Sequence, residues 1–236
     1  MGLREIIATN LLSLDLHPSG TDKGTIHSYI DDVYTPIFES GQRFKVIHEI
    51  GIMHGASLVV WKKLVPSAKV VGYDIHEREL HPLAQKLKQE NNIAVVYLDA
   101  YDDETIDGVR DEIDLLIDDG PHTIQSQIES LKWIKKLSDG GTLVIEDIAG
   151  GIISVRKILR NLPKQLRKRA IYFTMFHRTG RFDDTVLIIT KSDKVHDSLQ
   201  GAIAKNKFWG MKSTFSWIFF RLIYKGLVLI NLKHYR

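Results

Sequence analysis

The amino-acid sequence predicts an α/β domain with a doubly wound, Rossmann-like sheet of seven strands, the last of which runs antiparallel. Three observations favour this fold class. Short apolar runs alternate with amphipathic stretches through residues 41–192, as expected of strands joined by crossover helices. Several of these apolar runs end abruptly in glycines or acidic residues. The last two runs are separated only by a polar turn, which indicates a closing hairpin.

The predicted elements follow one another along the whole chain. Residues 1–40 form a helical leader, residues 41–192 the core, and residues 193–236 a basic, aromatic tail. Strands are predicted at 44–50, 69–73, 93–98, 113–117, at the apolar run that ends in Glu146-Asp147, and at 170–176 and 185–190. Helices are predicted between them at 58–64, 77–89, 104–110, 123–137 and 154–162.

The turn after the first strand has the character of a ligand-binding loop. The strand ends in Glu49-Ile50-Gly51, and Gly55 and Ser57 precede the next helix. Glycines allow a tight turn and a close approach of the backbone to a ligand. The spacing departs from the dinucleotide fingerprint Gly-x-Gly-x-x-Gly. Asp74 ends the second strand, where an acidic side chain can accept hydrogen bonds from both hydroxyls of a ribose.

Two later strands end in paired acids. The fourth strand leads into Asp118-Asp119-Gly120-Pro121-His122, and the fifth leads into Glu146-Asp147. Ligands bind at the carboxyl ends of strands in open α/β sheets, so these acids predict a hard-cation site with a histidine beside it. The alternative is that Asp118 or Asp119 caps the following helix. Asp99, after the third strand, would frame an adenine or would equally well cap the helix that follows it.

The composition excludes several kinds of site. The 236-residue chain contains no cysteine, so disulfides, thiolate metal sites and cysteine nucleophiles are excluded. This composition, with an N-terminus that lacks a signal-peptide pattern, predicts a cytoplasmic protein. No acidic residue lies between Asp147 and Asp183 or after Asp197, although both stretches are rich in lysine and arginine. These basic blocks indicate an anionic substrate or surface, or else solvated helix faces.

The tail segment 205–236 is apolar, aromatic and basic. Trp217, Arg221 and Lys225 recur at every fourth residue and would share one helix face. The two cations make a membrane-spanning helix the least favoured interpretation. The segment would instead pack on the domain or on a second subunit of a homo-oligomer, or lie on the inner face of a membrane. A nucleic-acid partner is not expected, because the basic blocks lack interleaved aromatic residues that stack bases.

Taken as a set, these motifs resemble the class I S-adenosylmethionine-dependent methyltransferases, and more closely the metal-dependent O-methyltransferases of macrolide and rhamnosyl sugars. The resemblance extends from about residue 20 to residue 150. Proteins of the sugar O-methyltransferase family often have serine where this chain has Pro121. The motifs that carry it are Thr21-Asp22-Lys23-Gly24 with His27 and Tyr29, Glu49-Ile50-Gly51 through Ser57, Tyr73-Asp74, Asp118-Asp119-Gly120-Pro121-His122, and Gly140-Gly141 through Glu146-Asp147.

The resemblance implies a role for each motif. Asp119, Glu146 and Asp147 would bind Mg²⁺, and His122 would be the general base. Asp22 and Lys23 would approach the cofactor's amino-acid end or the metal site, and Asp118 would cap a helix or support its neighbours. The acceptor would be a hydroxyl of a sugar, glycan or glycosylated natural product, either anionic or lipid-linked. The residues expected to bind S-adenosylmethionine are Asp22, Lys23, Glu49, Gly51, Ser57, Asp74, Asp99 and Asp118.

Two other functions are compatible with the fold class. One is a nicotinamide-dependent oxidoreductase on a similar sheet, which the glycine spacing of the first loop disfavours. The other is a non-catalytic, membrane-associated assembly module that uses the basic tail as a platform. The intact catalytic-type residues in the three strand-end motifs argue against this second alternative.

Overall fold

The computed structural model describes Thr21, Lys23 and residues 29–175 and 183–205. At its centre is a seven-stranded sheet with the order β3-β2-β1-β4-β5-β7-β6. Strands β1 to β5 pair in parallel, and β7 runs antiparallel to both of its neighbours, so the predicted fold class is confirmed. The strands are β1 (Val46–Ile50), β2 (Lys69–Asp74), β3 (Ile93–Tyr97), β4 (Ile113–Asp118), β5 (Leu137–Ile145), β6 (Ala170–Thr174) and β7 (Thr185–Thr190).

Helices connect the strands and cover the sheet. A π-helical turn, Ile30–Tyr34, leads into the first α-helix, and a 3₁₀ segment, Ser130–Lys136, follows the fifth. The α-helices are α1 (Thr35–Glu39), α2 (Ala56–Leu64), α3 (Pro82–Gln89), α4 (Asp103–Gly108), α5 (Ile124–Glu129), α6 (Gly151–Leu159), α7 (Lys164–Arg167) and α8 (Asp193–Lys205).

Both faces of the sheet are buried, which explains why its central strands are nearly continuous apolar runs. In β4, Leu115 and Ile117 belong to one hydrophobic cluster, whereas Leu116 belongs to the other. The first cluster includes Trp61 of α2, and the second includes Trp133 of the 3₁₀ segment. Alternate side chains of one strand therefore pack against different helical layers, and the polar strand ends are left at the sheet edge.

The helix boundaries differ from the sequence prediction, most clearly in the helices after β2, β4 and β5. Helix α3 begins at Pro82 rather than at residue 77, because proline favours the first turn and the Leu83 N–H is capped by His81 Nδ1. The predicted helix 123–137 is α-helical only as far as Glu129 and continues as the 3₁₀ segment. Helix α6 begins at Gly151, earlier than predicted, after a left-handed Gly150 (φ +86°).

Parts of the predicted leader and tail pack on the core. Tyr34 and Ile37 are fully buried in the first hydrophobic cluster. Ser198 of α8 donates a hydrogen bond to the Pro36 carbonyl of α1 (2.8 Å). None of the helices within the described ranges is long and apolar enough to cross a membrane. The predicted tail contacts of residues 206–236 lie outside those ranges.

Candidate active site

The carboxyl ends of the five parallel strands bring the predicted site residues to one edge of the sheet. Backbone hydrogen bonds continue past the strand ends: Asp119 N donates to Ile50 O (2.9 Å), and Glu146 N donates to Asp118 O (3.0 Å). These bonds fix the loops relative to one another. In the spatial order β3, β2, β1, β4, β5, the residues at these ends are Asp99, Asp74, Gly51, Asp119 and Glu146-Asp147.

Gly51 is the point at which the loops after β1 and β4 touch. Its φ is +79°, a left-handed conformation that side chains disfavour. A Cβ atom added there would lie 2.1 Å from the carbonyl oxygen of Asp119 and 2.7 Å from Cα of Gly120. The sequence prediction that this glycine permits a close approach therefore holds, but the group that approaches is the protein's own backbone.

A cavity of about 520 Å³ opens beside these loops. Its size suits a small-molecule ligand. Asp74 and Asp99 both line it, together with the exposed apolar side chains of Met53, Ile75 and Leu98. This mixture of apolar surface and a few carboxylates is typical of a small-molecule site.

Asp74 holds two segments of the cavity wall. Its carboxylate accepts hydrogen bonds from Met53 N and from His76 N, each at 2.9 Å. Asp99 accepts a hydrogen bond from Tyr101 N (2.8 Å). Helix α4 begins after Asp102, which is its N-cap, so Asp99 does not cap that helix. Both acids thus line the same cavity, and their predicted contacts with a cofactor stay predictions.

Asp118 is not among the residues that line this cavity, and its predicted contact with the cofactor stays a prediction. Its side chain is buried and accepts hydrogen bonds from Tyr101 Oη (2.6 Å) and Gly120 N (3.3 Å). Burial raises the pKa of Asp118 to about 6. Tyr101 and Gly120 do line the cavity, so Asp118 supports the wall. The alternative helix-capping role belongs to Thr123, whose side chain accepts from Ser126 N.

Glu49 and Ser57 are also absent from the lining of this cavity, and their predicted contacts with the cofactor stay predictions. Glu49 is fully buried and accepts hydrogen bonds from Ser57 Oγ (2.7 Å) and Trp61 Nε1 (2.8 Å). Ser57 and Trp61 are four residues apart on α2, so both face the same carboxylate. Burial raises the pKa of Glu49, although the Lys23 ammonium opposes this shift. The pair anchors α2 to β1.

Lys23 lies among the strand-end acids, with only 3% of its side chain exposed. Its ammonium donates hydrogen bonds to Asp119 Oδ2 (2.6 Å) and to Glu146 Oε2, and lies 3.5 Å from Glu49 Oε1. Burial disfavours the charge, but the three carboxylates outweigh it and raise the pKa of Lys23 well above its ordinary value. Lys23 thus lies beside Asp119 and Glu146, two of the predicted metal ligands. Asp22 lies outside the described residues.

Asp119, His122 and Asp147 form a cluster open to the cavity. They offer one ligand atom each, and these atoms lie within 4.8 Å of one another. His122 Nε2 is 3.9 Å from Asp119 Oδ1 and 3.8 Å from Asp147 Oδ2. Both separations exceed those of direct hydrogen bonds and are of the size that a shared ion or a substrate hydroxyl could bridge.

The third predicted metal ligand, Glu146, turns away from this cluster. Its two carboxylate oxygens accept hydrogen bonds from Lys23 Nζ and Tyr34 Oη. Asp147 accepts a hydrogen bond from Tyr29 Oη, and the Asp147 carbonyl accepts one from Gln127 Nε2 (3.3 Å). Metal binding by Asp119, Glu146 and Asp147 stays a prediction.

Strained backbone marks the same region. In the described part of the chain, four residues other than glycine have positive φ, and Met53, His122 and Asp147 among them line the cavity. His122 has φ +55° and Asp147 has φ +51°. Such conformations are costly and concentrate at functional sites, where the surrounding structure enforces them.

Several residues of the site were not singled out from the sequence. His76 lines the cavity, as do Arg78 and Tyr101. Their position directly after β2 and β3 is a signal that could have identified them, because loops at this edge form the site. The contacts of Tyr34 and Lys23 with Glu146 have no comparable local signal.

Comparisons with known proteins agree with this architecture. Residues 48–148 match a family model described as a methyltransferase domain. No curated protein matches the chain. A Streptococcus mutans protein described as a methyltransferase and solved with S-adenosylhomocysteine (SAH) is similar in structure, with a TM-score of 0.50 and 16% identity over 66% of this chain and 93% of that one.

Two further solved structures are similar over most of the domain. The MycE methyltransferase of mycinamycin biosynthesis, solved with Mg and SAH, has a TM-score of 0.47 and 20% identity, covering 82% of this chain. The match spans only 49% of MycE, about half its length. The cmcI protein, solved with Mg and S-adenosylmethionine, has a TM-score of 0.48 and 22% identity over 66% of this chain and 70% of that one.

The strand order shows the class I methyltransferase fold, and residues 48–148 resemble a methyltransferase domain. The resemblance inferred from the sequence motifs is thereby confirmed at the level of the domain and its fold.

Proposed function

We propose that this chain is a Mg²⁺-dependent O-methyltransferase that transfers a methyl group from S-adenosylmethionine to a hydroxyl of a sugar, glycan or glycosylated natural product. One observation carries the proposal. The cluster of Asp119, His122 and Asp147 lines the same cavity as Asp74 and Asp99. The residues that we propose for binding a cation, accepting a proton and holding the nucleoside thus line one cavity.

The donor set fits a hard cation. Asp119 accepts from Lys23 on one oxygen and directs the other toward His122, and Asp147 does the same with Tyr29. Mg²⁺ prefers oxygen ligands and is commonly bound by one or two carboxylates, with water or substrate oxygens completing its shell. Bound by Asp119 and Asp147, Mg²⁺ would supply Lewis-acid polarisation of the acceptor hydroxyl.

His122 provides the base for the transfer. S-adenosylmethionine supplies a sulfonium methyl group; transfer breaks the S–CH₃ bond, forms an O–CH₃ bond and releases the hydroxyl proton. The exposed imidazole of His122 takes that proton, and Asp119 and Asp147 stabilise the positive charge it gains. Help of this kind typically contributes about 10²–10⁴-fold in rate. The products are a methyl ether and neutral S-adenosylhomocysteine.

Charge supports an anionic or lipid-linked acceptor. Helices α6 and α7 carry basic residues in a stretch without acids, and Arg156, Lys157, Lys164 and Lys168 are exposed. A cationic surface attracts anionic partners such as glycolipid phosphates.

We also infer that the tail makes a peripheral contact with an anionic membrane. Deletion of residues 206–236 should then abolish binding of the protein to anionic liposomes in a sedimentation assay.

Transfer of labelled methyl groups tests the proposed reaction. The full chain, methyl-labelled S-adenosylmethionine and a cellular glycan and glycolipid extract are incubated with Mg²⁺ or with a chelator. We expect label in acid-stable O-methyl sugars, and its loss on chelation. Label recovered only in nucleic acid or protein, or full activity in chelator, would contradict the proposal.

Two histidine variants separate the base from a general effect of losing imidazole. His122→Gln should lower the maximal rate about 10²–10⁴-fold while SAH still binds. His196→Gln, on α8, should leave the rate unchanged. Equal rates in the two variants would remove His122 from the mechanism.

A further inference from the structure

Lys23 uses carboxylate oxygens that a metal would otherwise need. Its ammonium contacts Asp119 Oδ2, Glu146 Oε2 and Glu49 Oε1, and it is nearly inaccessible to solvent. A buried ammonium in contact with three carboxylates is a charge-paired position that a second cation cannot enter without displacing it.

Both carboxylate oxygens of Glu146 accept hydrogen bonds. One accepts from Lys23 Nζ and the other from Tyr34 Oη, and its side chain is 1% exposed. By contrast, Asp119 and Asp147 each direct one oxygen toward His122 and the cavity. The cluster whose ligand atoms converge consists of Asp119, His122 and Asp147, and it does not include Glu146.

We propose that Lys23 is a built-in cation that withdraws Glu146 from the metal-ligand set and leaves a two-carboxylate site formed by Asp119 and Asp147. Glu146 is then a positioning residue, which holds Lys23 and Tyr34 against the sheet edge. The inference rests on the proposed metal dependence. It departs from the ligand set implied by the sequence resemblance, in which Glu146 binds the ion.

The charge of Lys23 also sets how tightly the site holds a cation. A positive charge bound to Asp119 repels a divalent ion on the same carboxylate and cancels part of its attraction. Removal of the ammonium would expose Asp119 Oδ2 and Glu146 Oε2 as additional ligands. Cation affinity should therefore rise when Lys23 is lost, although the site loses a side chain.

Titration with Mn²⁺ tests this inference without any need for an acceptor. The full chain is saturated with SAH, and free Mn²⁺ is followed by electron paramagnetic resonance. We expect Asp147→Asn to weaken Mn²⁺ binding at least about 10-fold, and Glu146→Gln to change it less than about 3-fold. We expect Lys23→Met to tighten binding about 10-fold, because a positive charge that repels Mn²⁺ is removed.

Two further variants guard against a simple folding defect. Lys69→Met removes a lysine that pairs with Asp111 on the surface (2.6 Å) and should leave Mn²⁺ binding unchanged. Lys23→Met leaves buried carboxylates unpaired and should lower the melting temperature; adding Glu146→Gln should restore part of that loss. Glu146→Gln alone keeps one acceptor oxygen for either Lys23 or Tyr34 and leaves Asp119 and Glu49 to pair with Lys23, so it carries the test even if Lys23→Met does not fold.

The Mn²⁺ titrations distinguish the proposed role of Lys23 from the proposed metal dependence of the enzyme. Equal loss of Mn²⁺ binding in Glu146→Gln and Asp147→Asn would overturn the inference and leave the metal-dependent function standing. No Mn²⁺ binding in either the wild type or Lys23→Met would overturn both. Binding that appears only in Lys23→Met would also overturn both, because the wild type would then have no metal site at Asp119 and Asp147.

Discussion

Gly51 and Asp119 are in backbone contact: a Cβ atom at Gly51 would lie 2.1 Å from the Asp119 carbonyl oxygen. This contact joins the loop after β1 to the loop after β4. It couples the wall of the cofactor cavity to the residue that we assign to the metal. A change at Gly51 should therefore affect both halves of the site.

Gly51→Ala should destabilise the protein and abolish SAH binding. The left-handed φ costs roughly 1–2 kcal/mol for alanine, and overpacking against fixed backbone adds roughly 1–3 kcal/mol. Gly41→Ala is the matched control, because Gly41 has φ +77° but nothing within 4 Å of an added Cβ atom. Urea unfolding and SAH titration measure both effects. Equal destabilisation of the two variants would show that the contact with Asp119 is unimportant.

Asp74→Asn should weaken SAH binding about 10- to 100-fold, since hydrogen bonds to charged groups contribute about 1.5–3 kcal/mol. The substitution weakens the acceptor for Met53 N and His76 N and removes the charge that would bind ribose hydroxyls. Isothermal titration calorimetry with SAH measures the change. Glu112→Gln, just before β4 at the opposite edge of the sheet, serves as the control. Unchanged affinity in Asp74→Asn would place the nucleoside elsewhere.

Tyr101→Phe should lower the free energy of unfolding by about 1–3 kcal/mol, because the buried Asp118 carboxylate loses its shortest hydrogen bond. The ring remains in the cavity wall, so the loss isolates the hydroxyl. Tyr97→Phe, at the end of β3, is the control and should be close to neutral. If both variants were neutral, Asp118 would not depend on Tyr101.

His48 predicts one component of the acid sensitivity of the fold. Burial lowers the pKa of His48 to about 4, from an ordinary value of about 6.5. Between these values the unfolded state binds more protons, so stability is complete above about pH 6.5 and falls as the pH drops toward 4. His48→Phe should remove about 3 kcal/mol of that pH dependence in urea unfolding. Parallel pH profiles for the two proteins would contradict this assignment.

The sequence could predict the sheet and the edge at which the site forms, because both follow from local patterns. Apolar periodicity located the strands, and parallel strands bring their carboxyl ends together, so Asp74, Asp99, Asp119 and Asp147 converge as expected. Apolar periodicity can be recognised from neighbouring residues alone. The convergence of the acids depends only on the direction of the strands.

Long-range polar pairings could not be predicted in this way. The position of Glu49 at a strand end predicts a cofactor ligand. Its carboxylate accepts hydrogen bonds from Ser57 and Trp61, which lie on the next helix. Lys23 reaches Glu146 across 123 positions of sequence, and no local pattern encodes that contact. Such pairings depend on how the leader packs on the sheet, which periodicity does not specify.

A crystal structure with SAH and Mn²⁺ tests the central claim most directly. Anomalous scattering locates Mn²⁺ independently of the protein density. We expect one manganese peak, bonded to Asp119 and Asp147, in the same cavity as SAH. The adenosine of SAH should lie beside Asp74 and Asp99. Bound SAH with no manganese peak at Asp119 and Asp147, or SAH bound away from Asp74, would contradict the claim.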